Sequence, residues 1–258
     1  MSSKDRANLI SSLVQQLDDE PIWLRYRAKI INASPLVGWA ARLNGYFWPS
    51  PSNGFAASEV QLAPILSEGE ALAKAERPWS KETQERAMVF AQKVFKWGGV
   101  KQRDVTWELI DLVVQAALTE NATNGAPMNS GWTKIAAFVT DHLEPENRSQ
   151  AIWDSRVSWS LVRRFDRILC ESKSDKIPNC LAHLGKVPAR VVTRWNPPPY
   201  LPWPNAYQKW QSHFAASSLI RDIRDHLNYR GLLAPTPTGG TTPWTVRTVE
   251  MVLFMDGY

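Results

Sequence analysis

Apolar residues recur at intervals of three and four along most of this chain. That period predicts helices over 4–18, 22–31, 36–43, 58–76, 81–97, 105–119, 132–143, 153–171, 206–229 and 245–254. Alternation at every second residue, the mark of a half-buried strand, is scarce, so the expected fold class is all-α. Stretches rich in Pro, Gly and Asn separate the helices at 49–54, 98–99, 121–129, 177–204 and 232–243. The first of these is read as the boundary between an N-terminal helical part, 1–50, and a main helical body, 55–258, although one continuous domain fits as well. The closing run Met251, Val252, Leu253, Phe254 is apolar nearly to the end and is expected to be packed.

Within this pattern, the stretch 130–161 places a lysine and an aspartate twenty positions apart with a helix and a Pro-containing turn between them. Lys134 opens a helix in which Ile135, Phe138, Val139 and His142 recur at helical spacing, with Thr133 or Ser130 able to cap the free amides. Pro145 ends that helix. Asp154 and Ser155 then precede a second apolar pattern, Val157, Leu161, Phe165 and Ile168. This sets Asp154 at a helix N-terminus, where the dipole and free N–H groups favour a carboxylate. An amine and a carboxylate on consecutive helices can share one cleft. Taken alone, each residue has an ordinary alternative: Asp is a frequent N-cap, and a first-turn lysine is commonly exposed.

Charge sharpens this picture. The chain has 30 basic and 25 acidic residues, but 155–195 holds nine of the first against three of the second, so that segment carries +6 and the remainder −1. Such a face suits a phosphate backbone, and it suits solvent equally well. Within it, 185–199 is a long basic loop, stiffened by prolines, that contains Lys186, Arg190, Arg194 and Trp195. A loop of this kind is expected to contact a partner or close a pocket. Cys170 and Cys180 are too few for a disulfide framework or a four-cysteine metal site, and the four histidines have no zinc spacing. No metal and no cofactor are expected, and the histidines are placed at the surface or core edge. The start, MSSKDRANLI, has no secretory core, and no apolar run approaches membrane length. A cytoplasmic monomer without membrane contact is expected.

The segments Thr133-Lys134-Ile135-Ala136 and Ile152-Trp153-Asp154-Ser155-Arg156-Val157 resemble the helix-hairpin-helix DNA glycosylase superfamily, and within it the 8-oxoguanine glycosylase-like group. The resemblance covers 130–161 and extends more loosely over the helices from 80 to 169. It departs at the hairpin, where the family's Leu-x-Gly-x-Gly is replaced by Met128-Asn129-Ser130-Gly131-Trp132, with one glycine. The two cysteines set the chain apart from the iron-sulfur branch, which uses four.

The resemblance implies a helical glycosylase-like fold with a helix-hairpin-helix-like element and an N-terminal helical extension. It also implies DNA as partner and cleavage of the N-glycosidic bond of a damaged or modified base flipped out of the duplex, in base excision repair or in defence against phage DNA with modified bases. Asp154 would stabilise the positive charge that develops on the sugar. Lys134 would attack C1′ to form a Schiff base, with strand nicking to follow; otherwise Asp154 would orient a water. Ser130, Gly131, Thr133, Arg156, Lys186, Arg190 and Arg194 would hold the DNA. A flipped base needs flat walls, which Trp132, Trp153 and Trp195 could supply, while most of the thirteen tryptophans fill the core. The alternative is a non-catalytic helical protein that binds DNA or a partner, in which Asp154 is only a cap.

Overall fold

The computed structural model describes residues 3–27, 29–101, 103–122, 125–188 and 197–258. Its helices are α1 (Ser3–Asp19), α2 (Gly38–Asn44), α3 (Phe55–Lys74), α4 (Lys81–Trp97), α5 (Trp107–Thr119), α6 (Trp132–Thr140), α7 (Ser155–Glu171), α8 (Trp210–Tyr229) and α9 (Val246–Asp256). A 3₁₀ segment, Asp141–Glu146, continues α6. Two minimal antiparallel pairs complete the described residues: β1 (Arg25–Tyr26) with β2 (Lys29–Ile30), and β3 (Ala234–Pro235) with β4 (Thr241–Thr242). The all-α class is therefore the observed one.

Two helices organise the packing. All nine residues of α6 are buried, as its sequence WTKIAAFVT requires, since it offers no polar stripe. α3, α4 and α5 pack around it. The closest approach is at Gly69 of α3, where an added Cβ would stand 2.6 Å from the Phe138 carbonyl oxygen. The second organiser is α9, nine of whose eleven residues are buried, which packs against α2, α7 and α8, while α1 lies on α2, α7 and α8. The chain thus passes from the α9 group to the α6 group near 49–54 and returns through 141–154. One continuous apolar core joins the two groups. Residues 1–50 accordingly pack with the C-terminal helices, and 49–54, exposed or half-buried, is where the chain crosses from one group to the other.

Three local expectations are corrected. Residues 22–31 form the β1–β2 hairpin in place of a helix: Arg27 takes a left-handed φ of 48°, and the Asn32 side chain accepts the Leu24 N–H. The helix expected over 206–229 starts at Trp210, because the Ala206 N–H is taken by the Lys186 carbonyl and Gln208 sits at φ 58°. His213, expected at the surface or core edge, is fully buried against Trp210 and Phe214, with neither ring nitrogen bonded among the described residues.

Charge also works inside the fold. Asp256 at the end of α9 takes a two-pronged contact from Arg164 (2.6 and 3.0 Å), lies 3.7 Å from the fully buried Arg42, and accepts the Ser160 hydroxyl. Glu20 at the end of α1 binds Arg164 and Arg167. Part of the basic segment is therefore a structural clasp between α1, α2, α7 and α9. No helix among the described residues is long and apolar enough to cross a membrane.

Candidate active site

The two helix groups meet where α6 and α7 begin. Asn129 caps α6, its Oδ1 accepting the Gly131 and Trp132 N–H groups at 2.8 and 3.3 Å. This is the role that the sequence assigned to Ser130 or Thr133. Thr133 reaches back to the Ser130 carbonyl with its hydroxyl at 3.2 Å. Its hydroxyl accepts the Trp153 N–H at 3.2 Å and lies 3.3 Å from the Trp153 carbonyl, on which it can place its own proton. The strand-like residue before α7 is thus fastened to the first turn of α6.

One residue beyond each end of that clasp stand Lys134 and Asp154. Asp154 is the N-cap of α7, with backbone φ −123° and ψ −177° and with Oδ1 accepting from Arg156 N and Val157 N at 2.8 and 3.1 Å. Both bonds use Oδ1, which leaves Oδ2 for a ligand. Lys134 is 6% exposed, and its Nζ donates to the Ser130 carbonyl at 3.0 Å. Its stem fills the space above Gly98, where an added Cβ would lie 2.6 Å from Lys134 Cδ. Burial lowers the Lys134 ammonium below its ordinary range, and the charges of Asp154 and Glu250 oppose that shift. An amine poised in this way loses its proton more readily than a surface lysine.

Glu250 is the residue that the sequence reading missed. It lies midway along α9, in the apolar end segment, and is 5% exposed. Burial first, and then the neighbouring Asp154, push its carboxyl up to about 8, so it is mostly protonated at neutral pH. Tyr46 completes the cluster. Its phenol is fully buried and held well above its ordinary value, chiefly by burial and then by Glu250 and Asp154.

Arg156, two residues after Asp154, stacks on an aromatic cage. Its guanidinium carbon is 3.9 Å from the Tyr258 ring centre, 4.5 Å from Phe254 and 5.5 Å from Trp48. Among the described residues it has no ion pair, and the stacked rings hold its guanidinium in place. Gly257 closes over its backbone, where an added Cβ would lie 2.2 Å from the Arg156 carbonyl oxygen.

The other expected contacts divide clearly. Trp132 and Trp153 are buried in the core, Trp132 edge-on against Phe95. Neither presents a free face to a planar ligand, and the rings near the start of α7 are Trp48, Phe254 and Tyr258, which pack on one another and on Arg156. Ser130 is half-buried and Gly131 buried, both in the loop that Asn129 holds. Lys186 is half-buried, its backbone paired with Pro204 and Ala206. Trp195, Arg190 and Arg194 lie outside the described residues. Both ends of their loop are pinned to α7: Ser158 bonds Gly185 O and Val187 N, and the Asp166 carboxylate accepts Tyr200 N, Leu201 N and Trp203 Nε1. A separate surface cleft lined by Glu20, Trp159, Arg163, Arg167 and Tyr200 runs further along α7, away from Lys134.

Among the described residues no group of three or more His, Cys, Asp or Glu side chains could hold a metal ion. The arrangement offers an amine, a carboxylate and a neutral carboxyl that act on one another electrostatically. No family model matches this sequence, and no curated protein or solved structure is significantly similar to it.

Proposed function

We propose that this chain is a DNA glycosylase that excises a damaged or modified base flipped out of the duplex. The observation that carries the reading is the convergence of Lys134 and Asp154 at the starts of α6 and α7, fastened one residue away on each side by Thr133 and Trp153. Cleaving an N-glycosidic bond builds positive charge on the sugar. A carboxylate fixed by helix capping stabilises that charge without having to reorganise. A buried amine beside it can capture C1′ as the base departs, giving a Schiff base and then strand nicking. Arg156, stacked and unpaired, supplies a rigid fork for a phosphate next to the extruded nucleotide.

The test is excision from end-labelled duplexes carrying 8-oxoguanine, uracil, hypoxanthine or 5-hydroxymethylcytosine, followed by hot alkali to cut abasic sites. A break at the modified position supports the reading and separates lesion repair from removal of the modified bases of phage DNA. Intact strands across the panel overturn it.

A further inference from the structure

Glu250 has no part in the reaction set out above, and its environment calls for a reason. Its carboxyl makes no hydrogen bond and no salt bridge among the described residues, and only 5% of the residue reaches solvent. A buried carboxyl without a partner costs folding free energy. Its direction is set by α9: Phe254 lies one turn further along on the same face, and that ring touches Arg156 and stands 5.9 Å from Tyr46. Glu250 therefore looks towards the start of α7.

The charged groups around Glu250 are Asp154, Lys134 and Arg247, with the Tyr46 phenol also in range. Arg247 is committed to Glu59 at 2.6 Å and Asp141 at 3.2 Å. From α8, Arg221 and Arg224 are held by Glu120 and Glu144, and from α2, Arg42 faces Asp256. Among the described residues those arginines are thus already paired, and Lys134 and Asp154 are the charges of the site that act on Glu250.

We propose that Glu250 is the general acid of this site, protonating the base as it leaves and then relieving Lys134 of a proton. The inference rests on the reading of Lys134 and Asp154 as the excising pair. The C1′–N bond breaks with its electron pair going to the base, the Glu250 O–H proton goes to the same base, and the base departs neutral. Asp154 steadies the cationic sugar. The new Glu250 carboxylate takes a proton from the Lys134 ammonium, and the freed amine lone pair forms the C1′–Nζ bond. In sum one proton passes from Lys134 to the base, and Glu250 ends as it began. A neutral carboxyl at pH 7 is the form this role needs, and burial together with Asp154 favours it.

The experiment is single-turnover excision of whichever panel duplex the wild type cuts, followed from about pH 5 to about pH 10 with Glu250→Gln, Glu250→Asp and Asp154→Asn alongside. Wild-type rate should fall as pH rises past about 8. Glu250→Gln should be folded, slower by about 10²- to 10⁴-fold, and without that alkaline fall. Glu250→Asp should recover part of the rate and the fall with it. An active wild type whose Glu250→Gln variant excises within about threefold, on the wild-type pH profile, overturns the acid role alone. If Glu250→Gln does not fold, a Glu250→Asp variant without an alkaline limb does the same. A wild type inert on every duplex removes the excision reading, and the acid role with it.

Discussion

The Thr133 hydroxyl and the Trp153 backbone form a two-way contact, 3.2 Å from the Trp153 N–H and 3.3 Å from its carbonyl oxygen. This clasp sets the distance between the helix that carries Lys134 and the one that Asp154 caps. Thr133→Val keeps the shape and removes the oxygen, leaving the buried Trp153 N–H unpaired at a cost of ~1–3 kcal/mol. Urea unfolding should register that loss. Single-turnover excision should fall further than the stability change explains, because the two groups lose their register.

Asp154→Asn and Asp154→Ala separate capping from chemistry. Asparagine caps a helix about as well as aspartate, so Asp154→Asn should keep its melting temperature and its duplex affinity while base release is abolished. Asp154→Ala should also lose ~1 kcal/mol of stability. A binding protein with no chemistry at Asp154 would show only the second effect, so undiminished excision by Asp154→Asn sinks the catalytic assignment.

Lys134 should be trapped on DNA by borohydride, and Lys134→Gln should leave no adduct. Since burial lowers its ammonium, trapping should rise with pH below the range in which an ordinary lysine deprotonates. Gly98→Ala should act on the same step from a distance, by driving a Cβ into the Lys134 stem. Strong trapping by Lys134→Gln would move the nucleophile elsewhere.

Phosphate contacts should be weighted towards Arg156 and Arg163. Arg164 and Arg167 are spent on Asp256, Glu20 and Glu171, whereas Arg163 stacks on Trp159 and, among the described residues, bonds only a backbone carbonyl. The double change Arg156→Gln, Arg163→Gln should flatten the log-log salt dependence of duplex binding by up to about two units, at about 0.9 per phosphate. Fluorescence anisotropy across a salt series gives the slope, and an unchanged slope would place the DNA face off α7.

Two buried carboxyls should shape the pH dependence of stability with opposite signs. Burial works to raise Asp256, but Arg164 and Arg42 outweigh it and hold the group below its ordinary 3.8. Its contribution is therefore present above that value and lost as pH falls below it. Glu250 rises from 4.5 to about 8, so its contribution is present below 4.5 and lost as pH climbs to about 8. Glu250→Gln should melt above the wild type at pH 8 and lose the advantage by pH 5. Asp256→Asn should cost ~3–5 kcal/mol at neutral pH by leaving the buried Arg42 without its counter-charge. Calorimetry across this range reads both.

The starts of α6 and α7 were legible because capping is local: an Asp, Asn or Thr before an apolar period announces a helix end within a few residues. Which way a side chain points was harder to read. Trp132 precedes Lys134 by two positions, about 200° around the helix, so it faces the core when Lys134 faces the site. Trp153 neighbours Asp154 across extended backbone, where successive side chains point to opposite sides. Sequence adjacency therefore placed in the site two tryptophans that the fold buries in its core. Glu250 was hidden in an apolar run, and the signal lay in the mismatch itself, a carboxyl within a helix that is otherwise core. The partnership of 1–50 with the C-terminal helices depends on contacts hundreds of positions apart, such as Arg6 with Asp222, and no local period encodes it.

Ser158 and Asp166 anchor the two ends of the basic loop to the same rigid helix that Asp154 caps. Replacing 189–196 between those anchors should therefore leave the Thr133–Trp153 contact and the Asp154 cap in place, so that variants of this segment can be compared on one unchanged scaffold.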